Sequence, residues 1–513
     1  MEAVPAKSAS ATFLGEANKP LFILEMANNH MGSVEHGIRI VKEMAEAVKG
    51  LDGRFGIKLQ YRHIESFIHP DFAKRTDLKF VKRFSETALS WDQFKQLKDA
   101  IVGHGFLSVC TPWDEISVEK IAEHGFDIIK VPSCYLTDWP LLEAMSHTTM
   151  PVVISVAGES LLEIDRVVAF FVHRKRDLAI MHCVGEYPTP PENYQLNQID
   201  LLRERYRGIA VGYSTHEPPE EMEAVKIAIA KGAMLFEKHV GVPTETVQLN
   251  AYSANPAQVR RWAQSAQAAL AMCGVKGERY KFSEKELTTL GDLKRGVFAK
   301  SDLPAGKVVS TKDVFLAIPS QAGQLVANNL SKYCDYKLTE AVPAKGAVMA
   351  AKVSGKDRRE EVEQIIAQAV KLLKKSGVTV PGQLDLEISH HYGIERFPEF
   401  GSMVITVVNR TYCKRLILLV PKQTHPEQWH EIKDETYHLL YGEIDVRLDG
   451  KMQKLKKNDV LNIPVNVRHE LYTQKGAIIE EISSVYEPGD SYYTDRTINE
   501  NPNRKTLVSH WIE

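Results

Sequence analysis

The sequence predicts a (β/α)8 barrel followed by two β-rich regions, and three observations predict it. Residues 21–273 alternate apolar runs of strand length with amphipathic stretches of helix length. Eight such units in about 250 residues is the arithmetic of that barrel. No Gly-x-Gly-x-x-Gly follows the first apolar run, which weakens the main competitor, a doubly wound open sheet. From about Leu290 the texture changes to short β-like runs broken by turn signals.

In chain order, strands are expected at 21–27, 56–60, 106–110, 127–131, 152–156, 178–183, 209–213 and 233–237, where apolar and β-branched residues cluster. Between and after them, helices are expected at 33–49, 91–103, 117–124, 160–174, 219–231 and 256–272. The stretch LKRGVFAKSDLPAGKVVSTKDVFLAIPS opens a small β unit that ends near Val353. One amphipathic helix follows, with Val362, Ile365, Ile366, Val370 and Leu373 on one face, and Gly377 and Pro381 end it. Residues 384–498 read as several short strands with turns between them, as in a sandwich or small barrel. The expected division is a barrel over 1–285, a small β domain over 286–353, a helical linker over 354–381 and a final β domain over 382–513.

Composition excludes several functions. Lys and Arg total 64 against 66 Asp and Glu, a formal net charge of -2, so no general polyanion binder and no nucleic-acid partner is expected. No apolar run approaches the roughly 18 residues that span a bilayer, so no membrane association is expected. The first twenty residues lack the apolar segment of a secretory signal. Cys110, Cys134, Cys183, Cys273, Cys334 and Cys413 are scattered without a CxxC pair, which fits a reduced, cytoplasmic compartment.

Active sites of such barrels form at the C-terminal ends of the strands. The polar residues expected there are Glu25, Asn28, Asn29, His30, Lys58, Gln60, Thr111, Asp114, Lys130, Ser133, Ser155, His182, Ser214, His216, Glu237, Lys238 and His239. Lys58 and Lys130 fall within strands that should be buried. A buried lysine is costly unless paired, so each either binds a ligand anion or forms an ion pair with Glu25 or Glu237. His216 and His239 end adjacent strands and can reach one divalent ion such as Mn2+. Taken alone, these residues point to a metal-assisted reaction on an anionic, phosphate-bearing substrate.

The stretches ILEMANNHMGS, GIKLQ, CTPWDEISVEKIAEHGFDIIKVPS, MHCVGEYPTPPE, VGYSTHE and FEKHVGV resemble, in order, the sialic acid (nonulosonate) synthase family. The run from Leu293 to Val314 resembles that family's antifreeze-like (SAF) domain. The resemblance spans residues 20–353. It implies condensation of phosphoenolpyruvate (PEP) with an aldose to a 2-keto-3-deoxy sugar acid, with release of phosphate. It implies catalytic roles for Glu25, Lys58, Lys130 and Glu237, and substrate contacts from Gln60, Ser133, Tyr135, Ser155, His182, Tyr187 and Ser214. It further implies Mn2+ or Mg2+ on His216 and His239, and a homodimer in which the SAF domain packs on the partner barrel. Three departures bear on the acceptor sugar. Tyr135 stands where the family has an acid, Ile318 where it has an arginine that contacts the N-acyl group, and Thr215 where it has aspartate. The acceptor expected is an N-acetylmannosamine-like or other hexose giving a sialic-acid-type product, with a Kdo-like or other 2-keto-3-deoxy acid synthase using an acceptor without an N-acyl group as the alternative. A pyruvate-dependent lyase forming a Schiff base on Lys58 or Lys130, and a sugar-binding regulatory protein with a decayed barrel, are the other readings.

Near the C-terminus, Gln428-x-His430, then Glu435, then Gly442, resembles the first cupin motif, and Pro464 to His469 approximates the second, with Asn466 in place of glycine. Asn tolerates positive φ better than most residues. The resemblance implies a second divalent metal on His430, Glu435, His469 and the amide oxygen of Gln428, with His425 as a substitute for Gln428. Such a domain serves as an accessory or sugar-binding module or as an aldose–ketose isomerase. His390 and His391 are expected on the surface.

Overall fold

The computed structural model describes residues 13–14, 19–331, 333–484, 486–487 and 489–511. The chain divides into two compact units, 1–281 and 282–513.

In the first unit, eight parallel strands close into a barrel in sequence order. They are β1 (Leu21–Glu25), β2 (Arg54–Tyr61), β3 (Leu107–Pro112), β4 (Ile128–Val131), β5 (Val152–Ser155), β6 (Leu178–Cys183), β7 (Ala210–Thr215) and β8 (Leu235–His239). The sequence forms strands here because β-branched and apolar residues run together and both faces are covered, as in all-parallel sheets. All five residues of β1, LFILE, are buried.

Several helices between strands start at side chains that satisfy free backbone N–H groups. Ser33 Oγ accepts from His36 N (3.1 Å) at the start of the helix Val34–Val48. Ser90 and Gln93 cap each other reciprocally before the helix Trp91–Gly103. Asp114 Oδ1 accepts from Ser117 N (2.8 Å), so this strand-end residue serves as a helix cap.

The two-residue period of a strand sorts the barrel lining into layers. Leu21, Ile23, Val109, Ile128, Val153, Met181 and Leu235 fill the interior with an apolar cluster. Close packing there leaves no room for a side chain at Gly212, whose Cβ would come within 2.5 Å of the Leu235 carbonyl oxygen. One further inward step along β1, β2, β4, β5, β7 and β8 gives Glu25, Lys58, Lys130, Ser155, Ser214 and Glu237. Glu25 lies level with Lys58 and with His239, and Ser214 with Glu237. The alternation that packs the barrel therefore also delivers a polar layer to its carboxyl end.

The second unit begins with a helix, Glu284–Asp292, and two short antiparallel pairs, Gly296–Ala299 with Val314–Ala317 and Cys334–Leu338 with Val353–Asp357. These share a small core that includes Val297, Leu303, Val314, Leu338 and Val348. Ile318 is 63% exposed. The helix Arg358–Ser376 is capped by Asp357 and closed by Gly377 at φ +71°, a conformation glycine adopts without a Cβ penalty. Its Ile365, Ile366, Ala369, Leu372 and Leu373 share one apolar cluster with Leu384, Leu386, Met403, Leu416 and Leu418 of the sheet that follows. It is thus part of that core. The antiparallel sheet curls around its longest strand, Glu435–Leu448, which pairs with four others. His390 and His391, expected on the surface, are buried instead. Their ring nitrogens meet Thr506 Oγ1 (3.0 Å) and Tyr493 OH (3.1 Å), because both lie where the first strand of the sheet turns beneath the chain's last segments.

Candidate active site

A cavity of about 1020 Å3 opens at the carboxyl end of the barrel. Glu25, Lys58, Gln60, Lys130, Ser133, Ser155, His182, Tyr187, Ser214, His216, Glu237 and His239 all line it.

At its floor, Lys58 Nζ lies 2.6 Å from Glu25 Oε2 and 2.8 Å from Glu237 Oε2. Lys130 Nζ lies 3.5 Å from Glu237 Oε1 and donates to Ser155 Oγ at 2.7 Å. Ser214 Oγ donates to Glu237 Oε1 at 3.0 Å, and Gln60 Nε2 to Glu25 Oε2 at 3.3 Å. The ion-pair reading of both lysines is therefore realised, and both ammoniums also face the cavity.

Burial and charge set the protonation of this quartet. Burial raises the Glu25 carboxyl above its ordinary value, against the pull of Lys58. Glu237 is buried too, yet Lys130 and Lys58 override that cost and hold it well below the usual carboxylate range. Lys58 is held charged by Glu237 and Glu25 despite its burial, whereas burial lowers Lys130. Two carboxyls around one ammonium are thus pushed in opposite directions.

His216 and His239 stand side by side, with ring centroids 5.4 Å apart. Burial pushes both imidazoles down to about 3, so both are neutral near pH 7. His216 Nδ1 is 2.7 Å from the Val184 carbonyl oxygen. A donor bond there leaves Nε2 as the free lone pair, the arrangement of a metal-ligating histidine. The donor set fits a divalent ion. Tyr187 packs on His216 (4.0 Å between centroids), and Tyr252 sits edge-on to His239 (5.1 Å).

Other expected residues are placed differently. Tyr135 packs edge-on to Trp113 (5.1 Å) and does not line the cavity; Cys134 of the same turn does. Asn29 ties β1 to the chain after β8 through the Val240 carbonyl oxygen (2.8 Å). Lys238 points the other way and pairs with Glu217 (3.3 Å). His182 borders the cavity, but its Nε2 meets the Tyr194 carbonyl oxygen at 2.8 Å. The sequence reading missed Arg62, Arg83, Phe80, Phe84 and Trp113, which also line the cavity. Arg62 stands one residue beyond β2, and a search extended past the strand ends would have found it.

The second unit gathers its own buried polar cluster. Ligating atoms of His430, Glu435 and His469 all lie within 4.8 Å of one another. His430 Nε2 lies 3.2 Å from Glu435 Oε1, and His469 Nδ1 sits 3.1 Å from the Val467 carbonyl oxygen, leaving Nε2 toward Glu435 (3.6 Å). These three residues fit a divalent cation. Gln428 turns its amide nitrogen, not its oxygen, toward His469 Nε2 (3.2 Å). His425 lies against His391 (4.8 Å between centroids). Lys433, which the motif did not reveal, forms an ion pair with Glu435 and lies 3.1 Å from Glu481 Oε1.

The first unit is thus a (β/α)8 barrel whose carboxyl-end cavity combines paired lysines and glutamates with two neutral histidines. The NeuB family model matches residues 45–278. The chain is similar to the crystal structure of a spore coat polysaccharide biosynthesis protein E from Chromobacterium violaceum. The two are 50% identical over 66% of this chain and all of that one, with a TM-score of 0.64. It is 24% identical to the N,N'-diacetyllegionaminic acid synthase of Legionella pneumophila over 62% of this chain and 92% of that protein. It is 28% identical to the N-acetylneuraminate-9-phosphate synthase of Drosophila melanogaster over 42% of this chain and 59% of that protein. The chain belongs to the NeuB family.

Proposed function

We propose that the barrel condenses PEP with an aldose to a 2-keto-3-deoxy sugar acid of the nonulosonic type. The observation that carries this reading is the Glu25–Lys58–Glu237–Lys130 network beside His216 and His239 in a NeuB-family barrel. Lys58 and Lys130 bind the phosphate and carboxylate of PEP as compact cations, with Ser133, Ser155 and Ser214 donating to the same anion. A divalent ion held by His216 and His239, Mn2+ or Mg2+, would polarise the aldehyde oxygen. C3 of PEP forms the new bond to the aldehyde carbon, and Glu25, whose carboxyl burial raises above its ordinary value, passes a proton to the aldehyde oxygen. Glu237 stays ionised and opposes the effect of burial on Lys130. Water adds to C2, its protons pass to the leaving phosphate and to solvent, and loss of phosphate leaves the ketone.

The sequence resemblance makes residues 286–353 an SAF domain that packs on the partner barrel of a homodimer, and residues 382–513 a cupin. On this reading the cupin is an accessory, sugar-binding or aldose–ketose isomerase module holding a second divalent ion. No helix among the described residues is long and apolar enough to cross a membrane. The scattered cysteines without a CxxC pair favour the cytoplasm.

Incubation with PEP, Mn2+ and a panel of aldoses should release phosphate, and His216→Ala should abolish release. Failure of every aldose in the panel would refute the reading. The lowered ammonium of Lys130 favours a second reading, a pyruvate lyase that forms a Schiff base. Borohydride with pyruvate would trap that adduct, and a PEP synthase gives none.

A further inference from the structure

Four cations line the cavity, and they are not equivalent. Lys58 and Lys130 face carboxylates at ion-pair distance, so the floor is nearly neutral before any ligand enters. Arg62 and Arg83 have no carboxylate at that distance among the described residues. Arg62 is 8% exposed. Its guanidinium carbon lies over two neighbouring rings, Phe84 (4.1 Å) and Trp113 (4.2 Å), whose centroids are 5.8 Å apart. One Nη donates to Asn28 Oδ1 (3.2 Å) and the other to Gln60 Oε1, whereas the buried Nε has no partner. Through Gln60 the guanidinium connects to Glu25, the residue assigned to the aldehyde end of the acceptor.

Arg83 lies on the helix Lys79–Glu86, where positions 80, 83 and 84 share one face that borders the cavity. It is close enough to Arg62 for the two like charges to oppose each other. Two neighbouring guanidiniums with no carboxylate at ion-pair distance among the described residues offer donors to an oxyanion. The wall around them is aromatic, and Phe80 is 61% exposed at the mouth.

We propose that Arg62 and Arg83 form an oxyanion subsite for the acceptor, so that the aldose used by this barrel carries a phosphate monoester remote from its aldehyde. The inference rests on the synthase reading for its assignment of ends.

The test compares phosphate release from PEP, with Mn2+, for mannose 6-phosphate, N-acetylmannosamine 6-phosphate and arabinose 5-phosphate against their dephosphorylated forms. The phosphorylated sugars should be preferred in kcat/KM by at least about tenfold. Arg83→Gln, on a half-exposed helix, should erase that preference by raising the aldose KM while leaving the KM for PEP unchanged. Arg62→Lys, which keeps the charge but loses the planar fork, should weaken the preference in the same direction. Equal use of neutral and phosphorylated sugars overturns the proposal. So does a rise in the PEP KM of Arg83→Gln at constant aldose KM, which would assign the arginines to PEP. Should no sugar release phosphate, the synthase reading fails. Calorimetric binding of mannose 6-phosphate and mannose to the wild type and Arg83→Gln then decides the subsite. Binding of the phosphorylated sugar that Arg83→Gln weakens about tenfold supports it. Indifference to the phosphate or to the substitution overturns it.

Discussion

Glu237→Gln removes one negative charge from the middle of the buried network while preserving volume and shape. In the wild type, Glu237 is the nearest carboxylate to Lys130 and one of two at Lys58, and it accepts from Ser214. Breaking a buried ion pair from one side costs about 3–5 kcal/mol, because the charge left behind stays desolvated. The amide still offers an oxygen to Ser214, so a loss near the lower end, about 3 kcal/mol, is expected. For a unit of this size that corresponds to a fall in Tm of roughly 6–12 °C. A second effect has the opposite sign. With one carboxylate gone, the ammoniums are freer for a ligand anion, so saturating PEP should raise the Tm of the variant by more than it raises that of the wild type. Urea titration and calorimetry, each with and without PEP, measure both. Acid titration adds a third readout. Glu237 is depressed in the fold, so its stabilisation is present above the ordinary carboxylate range and disappears as pH falls through its folded value, a limb the variant should lack. A stability loss below about 1 kcal/mol, with no gain in the PEP-induced shift, would show that the Glu237 charge is not what keeps the lysines charged.

His216 and His239 titrate near 3 in the fold against an ordinary 6.5, so the unfolded chain binds more protons between those values. Stability without added metal should therefore fall as pH drops from 6.5 toward 3, and replacing both histidines with Asn should flatten the slope measured by urea unfolding at pH 7, 6 and 5. Added Mn2+ should raise the Tm of the wild type but not that of His216→Ala. In the second unit, His430→Ala should remove one equivalent of bound divalent metal in equilibrium dialysis, and Lys433→Met should tighten binding, because the ammonium competes with a cation for Glu435. Leu373→Ala should cost about 2–5 kcal/mol in the transition of the second unit, since Leu373 packs into the sheet core. A cost under about 0.5 kcal/mol would mean that the helix is a detachable linker.

The barrel was legible because each of its strands is an apolar run broken by helix caps, and its site was legible because the polar exceptions stand where those runs end. Glu25, Lys58, Lys130 and Glu237 violate the rule that charges stay outside, and together they satisfy one another at 2.6–3.5 Å. What escaped were residues whose role depends on distant chain neighbours. Arg62 reads as an ordinary basic residue after a strand, and only Phe84 and Trp113, brought from either side of the third strand, give it an aromatic setting beside the cavity. Tyr135 sits one residue from a lining position, yet its ring goes to Trp113, since in a short turn each residue points a different way.

Lys433 shows the same limit with opposite consequence. Spacing brought His430, Glu435 and His469 together, but nothing local marks the lysine between them as buried. Its ammonium is shared between Glu435 and Glu481, and Glu481 is already held by the guanidinium of Arg415 at 2.8 Å. A cation arriving at Glu435 therefore displaces Lys433 toward a carboxylate that is already paired. Hence a motif that counts ligands overstates metal affinity when a buried positive charge occupies the same carboxylate.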